Sequence, residues 1–484
     1  MAENFKNIKL PDPVEGVIRS AQVNDNVAPE DSVQLGVNVN FDRIGAISTR
    51  PGVSSYATAL AGPVISLGYN SIQQTGVRRL LGQVGNLIRS WDGAAWTTVR
   101  TLTSSTNKAR YSQFLNLTYM VNGNAAVAGS DAVQTFDGTT FGTTNVSFLP
   151  KGDFIQAGFE GRVWVLDAAL DRLYYSEIAS PTGVIITENP CAYIEKLSPQ
   201  DGQSFTGVFR VPKALLIFKQ NSIFRVYGAS SVDPYPAYNV GTYSQESIVQ
   251  AKDGVYFHHS SGFYRFNYDG PPTEISRRIK DFVDAIPRNT YGNITGLYDG
   301  KDNVTWAIGT VTVEGATYTN CMVRYTLSTQ VWTIYDIAGS EQPTASLLYD
   351  NGTEIVPIIG TSTGKLGHLE DGETDFGLPI YFEVIGRFAS FTDMWSHIKE
   401  INGMAVNSEN GAGVSFQVQV DKQKPNVWDN VGDLKEGFTT LFPNYKSEDF
   451  NRMRYRIKGY TSGPQIIING IEIMSLEDKG YDQN

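Results

Sequence analysis

Leu80-Leu81-Gly82-Gln83-Val84-Gly85-Asn86-Leu87-Ile88-Arg89-Ser90-Trp91-Asp92-Gly93-Ala94-Ala95-Trp96 reads as a β-hairpin followed by a second turn. Two apolar runs flank Gly85-Asn86, the turn chemistry of adjacent antiparallel strands. The second strand ends on a ring, Trp91, and Asp92-Gly93 follows. Glycine there accepts the positive φ that most other residues resist. The same ending returns 45 residues later as Phe136-Asp137-Gly138-Thr139-Thr140-Phe141, and Tyr268-Asp269-Gly270 and Tyr298-Asp299-Gly300 echo its first half. The motif packs a ring and turns the chain, so its role is structural.

Working outward, the hairpin pattern recurs. Leu117–Val121 runs into Asn122-Gly123-Asn124. Val163–Leu166 turns near 167–171 into Arg172–Tyr175. Leu215–Phe218 turns at Gln220-Asn221 into Ile223–Tyr227, and Val255–Phe257 turns at Ser260-Ser261-Gly262 into Phe263–Phe266. Thr310–Val313 turns at Glu314-Gly315 before Met322–Tyr325, and Ile355–Ile359 turns near Thr363-Gly364 into Leu366–Leu369. Turns taken at 85, 123, 169, 220, 260, 315 and 363 are separated by 38, 46, 51, 40, 55 and 48 residues. Propeller blades repeat at about 40–50 residues. The spacing predicts an all-β fold with a β-propeller over 61–377, and six or seven blades fit. An array of β-sandwiches is the rival arrangement.

Two regions lie outside the repeat. Residues 1–60 hold the alternating strand Val37-Asn38-Val39-Asn40-Phe41-Asp42 and a second strand ending at Arg50-Pro51-Gly52, and read as an N-terminal strand arm. From 378 to 484 the strands lengthen, as in Tyr381–Ile385, Val414–Val420 and Ile466–Ile473, which predicts an additional C-terminal antiparallel β domain. The segment from Asp421 to Phe450 reads as a polar loop, and Ile279–Ile286 as one short helical turn.

Composition agrees with short strands and many turns: 25 Tyr, 24 Phe and 47 Gly, without long stretches of helical periodicity. Net charge is −11, from 50 acidic and 39 basic residues. A sequence-specific nucleic-acid binder normally carries a basic patch. Here the basic clusters are Arg277-Arg278 and the alternating Arg452, Arg454, Arg456 and Lys458, which read as one solvated strand face. Two cysteines, Cys191 and Cys321, make no disulfide framework and leave pairing open; their scarcity points to folding in a reducing cytoplasm. Met1–Lys6 lacks the apolar core of a signal peptide, and no stretch reaches the length of a membrane-spanning helix.

Catalytic motifs fail on inspection. Gly360-Thr361-Ser362-Thr363-Gly364-Lys365 has three residues between its glycines and Leu366 after the lysine, where a phosphate-binding loop has four and Ser or Thr. Trp91–Trp96 resembles the Asp-box of sialidase-type propellers but lacks the residue between Asp and Gly. Fifty acidic residues offer too many pairs to single out a glycosidase site. His258 and His259 are adjacent in a strand and point to opposite faces, which suits packing better than a metal. The residues point to no catalytic group, no metal and no cofactor.

Three segments carry a resemblance. The first is Leu35-Gly36-Val37-Asn38-Val39-Asn40-Phe41-Asp42-Arg43-Ile44-Gly45-Ala46-Ile47-Ser48-Thr49-Arg50-Pro51-Gly52. The second is Lys219-Gln220-Asn221-Ser222-Ile223-Phe224-Arg225-Val226-Tyr227-Gly228. The third is Gly364-Lys365-Leu366-Gly367-His368-Leu369-Glu370-Asp371-Gly372-Glu373-Thr374-Asp375-Phe376-Gly377, with Trp395 beyond it. Together they resemble the tail nozzle, tail hub or tail-stabilisation proteins of short-tailed bacteriophages. The resemblance covers most of the chain. It implies a structural virion protein rather than an enzyme, made in the bacterial host cytoplasm and assembled as a homo-oligomeric ring, usually a hexamer. Such a ring sits below the portal and its adaptor ring, mounts tail fibres or tailspikes, and passes double-stranded DNA without sequence-specific binding. An acidic wall would repel phosphate and keep DNA moving. The chain is compact for the family, so its fibre-docking insertions are small or supplied elsewhere. A carbohydrate-active propeller enzyme and another ring or adaptor protein of the same tail are the alternative readings.

Overall fold

The computed structural model describes residues 5–9, 15–19, 31–43, 46–143, 146–179, 192–195, 202–229, 231–233, 239–268, 270–406, 414–420, 427–441 and 450–477. Ile44, Gly45, Cys191 and Asp269 of the sequence motifs lie outside these residues. Regular structure in the described part is almost all strand, with one α-helix, Lys280–Asp284, where the short helical turn is expected.

The middle of the chain folds into successive antiparallel units of four strands. Five follow in sequence over 64–101, 110–142, 154–195, 205–233 and 249–274. A sixth run of four, 295–336, begins a fifteen-stranded sheet, and a seventh unit joins Pro343–Asp350, Ile355–Thr361 and Leu366–Leu369 to Val53–Ala57. The turns read from the sequence fall between the second and third strands of these units, one per unit. Val84 pairs with Leu87, Asp167 with Arg172, Phe218 with Ile223 and His259 with Gly262.

Radial packing follows from alternation along the second strands. In Arg162–Asp167, Val163 and Val165 join the core with Tyr119 and Val121 of the preceding unit. Trp164 and Leu166, on the opposite face, pack with Leu215 and Ile217 of the following unit. In Ala214–Lys219 the other two side chains, Leu216 and Phe218, face Val255 and Phe257 of the fifth unit. A sheet buried on both faces reads as a continuous apolar run, which is why the period-two signal is weak in these strands. The outermost strands are wetter: Trp96–Thr101 has no buried residue. The first strands pack side by side, and Pro343–Asp350 of the seventh unit meets Val64–Ile72 of the first. Sheets packed face to face around an axis make a β-propeller.

Side chains stitch the seams. Gln113 of the second unit exchanges two hydrogen bonds with the Ser71 backbone of the first, 2.9 and 2.5 Å. Gln245 does the same to Val208 of the fourth, 2.6 and 2.9 Å. Trp306 Nε1 donates to the Ser247 carbonyl at 3.0 Å, and Thr344 Oγ1 to that of Val64 at 2.7 Å.

The segment read as an N-terminal arm is woven through the rest. Val53–Ala57 completes the seventh unit by pairing with Leu366–Leu369. Val33–Val37 lies between the sixth unit, through a parallel Val37–Ile334 bridge, and the antiparallel strand Ile380–Gly386. Phe5–Lys9 pairs with Ile467–Glu477. One sheet therefore runs from the sixth unit into the C-terminal strands, over a core shared by Trp306, Trp332, Val384, Phe416 and Ile457. The segment from Asp421 to Phe450 is not all loop: Asp429–Leu434 pairs with Val414–Val420, and Gly437–Leu441 with Ala389–Val406. Polar residues on a one-sided sheet hid both strands from the apolar pattern.

Candidate functional site

Two places bring together side chains that are far apart in sequence. The first lies on the propeller axis. Ser66, Tyr111, Gln156, Phe209, Glu246, Thr295 and Ser346, drawn from the first strands of the units and the turn Gln245–Ser247, line a cavity of about 240 Å³. It is no passage for a duplex. Glu246 meets Lys108 at 3.5 Å and Arg110 at 3.2 Å, and Arg110 also stacks on Phe154, 4.6 Å from the ring centre. Burial works against the Glu246 charge, but the two cations, with hydrogen bonds from its own backbone and from Ser244, together outweigh it and hold its carboxyl at about 2. A carboxylate so paired does not donate a proton near neutrality. Burial pushes the Tyr111 hydroxyl, its neighbour across the cavity, well above the usual tyrosine value. Paired charges and polar side chains thus line the axis.

The second place is the propeller seam, where the first and third family-like segments meet. Arg50 is fully buried. Its guanidinium donates to both carboxylate oxygens of Asp375 at 2.9 and 2.5 Å, to Asn38 Oδ1 at 2.7 Å and to the Pro51 carbonyl at 2.8 Å, and lies 5.1 Å from the Tyr335 ring centre. Asp375 also accepts from Ala338 N at 2.9 Å. Asn38 donates to the carbonyls of Asp336 and Tyr381 at 2.9 and 2.7 Å. Gly52 leaves no room for a side chain: a Cβ there would stand 2.1 Å from the Thr374 carbonyl oxygen. Planar, bidentate pairing of this kind is the geometry that arginine offers and lysine does not. The junction seats Val53–Ala57 in the seventh unit and ties the arm to the C-terminal strands.

The remaining sequence candidates fall as follows. Asp92 Oδ1 accepts from Ala94 and Ala95 N at 2.9 and 2.8 Å, and Asp137 Oδ1 from Thr139 and Thr140 N at 2.8 Å each. The flanking rings pair, Trp91 with Trp96 and Phe136 with Phe141. These aspartates serve turns. The glycine-rich segment at 360–365 is a hairpin held by Glu341, which accepts from Thr361 and Thr363 and pairs with Lys365 at 2.8 Å. His258 is wholly buried between Phe263 and Tyr291, and burial lowers it to about 3. His259 faces the other way, toward Ser261 and Asn221. The face of Arg452, Arg454, Arg456 and Lys458 is not simply solvated. Arg452 and Arg454 stack on Phe388, Arg454 and Arg456 on Trp428, and Arg456 pairs with Glu383 at 2.6 Å. Met453, Tyr455 and Ile457 point into the core, so the alternation holds. Cys321 is a buried free thiol. Among the described residues no cluster of His, Cys, Asp and Glu could hold a metal, and no helix is long and apolar enough to cross a membrane.

Sequence reasoning missed both assemblies. Glu246 lies 136 residues from Arg110, and Asp375 lies 325 from Arg50. Only the fold joins them.

No family model and no curated protein matches the chain. Solved structures do. Virginiamycin B lyase from Staphylococcus aureus aligns at 16% identity and a TM-score of 0.42, covering 65% of this chain and 97% of the lyase. YCF48 from Cyanidioschyzon merolae aligns at 12% identity and a TM-score of 0.40, over 66% of this chain and 98% of that protein. The extracellular domain of a putative hybrid two component system from B. thetaiotaomicron gives 10% identity, a TM-score of 0.46, and 90% and 61% coverage.

Proposed function

We propose that this chain is a structural subunit of a bacteriophage tail, a propeller-bearing nozzle or hub protein that assembles as a closed ring, most simply a hexamer. The four-strand units are then the seven blades of one propeller, closed by Val53–Ala57, and the long strands from 378 onward form a C-terminal domain. The observation that carries the reading is the seam: Arg50-Pro51-Gly52 and the segment ending Asp375-Phe376-Gly377, two of the three family-like segments, are spent on one buried junction. Segments that would mark a nozzle protein thus do architectural work.

In this reading no single propeller conducts DNA, because its axis offers only a cavity of about 240 Å³ beside the paired Glu246, Lys108 and Arg110. The channel lies between subunits, around the symmetry axis of the ring. The net charge of −11 on each chain supplies the acidic wall, and a narrow lumen focuses its field. Portal or adaptor proteins would meet one end of the ring, and fibres or tailspikes its outer face. Sedimentation of the purified protein tests the assembly. A discrete species of several chains supports the reading, and a monomer at all concentrations, with no incorporation into particles, contradicts it.

A further inference from the structure

Arg277 and Arg278 are adjacent in sequence and follow the last strand of the fifth unit, Thr273–Glu274. Both side chains open into a cavity of about 340 Å³ at the rim between the fifth and sixth units, together with Arg265, Glu274, Tyr325 and Gln330. Among the described residues of the wall, Glu274 is the one carboxylate, against three guanidiniums.

Each arginine is held by a carboxylate but only partly used. Arg265 reaches Asp253 through Nη2 alone, 3.2 Å from both the carboxylate and the backbone oxygen. Arg277 meets Glu274 through Nε at 3.2 Å, and Arg278 meets Glu15 through Nη1 at 2.7 Å. A guanidinium carries five N–H donors on three nitrogens. The buried Tyr325 adds a phenol that burial keeps protonated and a donor, the nearby arginines opposing that shift only in part.

We propose that this cavity binds a tetrahedral oxyanion, the phosphoryl or sulfuryl group of a small ligand. A wall rich in N–H and O–H donors with unused valence, and poor in acceptors, recognises that chemistry. Charge-assisted, geometrically matched bonds from arginine are its usual currency. The three anchoring carboxylates orient the guanidiniums while leaving other nitrogens turned elsewhere. The inference stands apart from the tail reading and survives its failure.

The test is calorimetric titration of the intact protein with inorganic phosphate, with sulfate, and with glycerol 1-phosphate, against chloride at matched ionic strength. Saturable binding of phosphate or sulfate, weakened about tenfold or more in Arg277→Gln and in Arg278→Gln, supports the site. Arg277 is 83% exposed, so its replacement leaves folding intact. Glycerol 1-phosphate binding tighter than phosphate marks a phosphate ester as the ligand, and equal or weaker binding marks the free anion. No saturable heat with any of the three, or equal affinity in wild type and both variants, overturns the proposal.

Discussion

Replacing Asp375 by Leu removes the partner of a guanidinium that is 1% exposed. Breaking a buried ion pair from one side costs about 3–5 kcal/mol, because the remaining charge is left uncompensated. Here Arg50 keeps Asn38 and the Pro51 carbonyl, and Ala338 N loses its acceptor, so about 4 kcal/mol is expected. Unfolding entropy runs at about 2.1 cal/mol/K per residue, or about 1 kcal/mol/K for 484 residues. If propeller and C-terminal strands unfold together, the midpoint drops by about 4 °C. The companion Arg50→Met costs a similar amount, since it strands the Asp375 carboxylate. The double variant Arg50→Met/Asp375→Leu removes both charges and costs about as much as either single change, leaving a coupling energy of about 4 kcal/mol in the cycle. Calorimetric melting of the four proteins measures it. Additive losses, with no coupling, would refute the claim that these residues act as one latch.

Glu246→Gln loses the carboxylate held at about 2. A depressed carboxyl contributes above its unfolded value of 4.5 and loses that contribution as pH falls toward 2, so wild type should shed about 3 kcal/mol across that window and the variant much less; urea melts between pH 5 and 2.5 follow it. His258 is lowered instead, so its contribution is complete above 6.5 and fades as pH falls from there toward 3. His258→Phe should flatten the wild-type slope, about 1.4 kcal/mol per pH unit for one proton, and denaturant midpoints at pH 8 and pH 5 that shift equally in both proteins would count against it. The purified protein should release no sugar from polysaccharides; turnover abolished by replacing a single Asp or Glu would make the enzyme reading correct.

How much was legible depended on how far each signal reached along the chain. Hairpins carry their own instructions: Gly85-Asn86 and Glu314-Gly315 sit where positive φ is adopted, by Gly85, Glu314 and Gly315, and apolar runs flank them. Their spacing then exposed the repeat. The weaving of the arm was illegible, because the pairing of Val53–Ala57 with Leu366–Leu369 and the bridge of Val33–Val37 to Ile334 span some three hundred residues. Asp429–Leu434 was hidden for another reason: one buried residue in six gives no period. Arginines at alternate positions of Phe450–Thr461 announced a strand face, but nothing local foretold that Phe388 and Trp428 would lie against them. The axial charge pairing is likewise a property of the closed fold, since Lys108 and Arg110 belong to one seam and Glu246 to another.

Copies of this chain are proposed to close into a ring around an acidic DNA passage. A density map of the assembled particle, at a resolution that places side chains, tests it most directly. A closed ring of several copies, most simply six, is expected, with Glu246 paired to Lys108 and Arg110 on each propeller axis and an inter-subunit lumen lined by more Asp and Glu than Lys and Arg. A lumen lined mainly by Lys and Arg, or a particle that holds the chain only as a monomer, would contradict it.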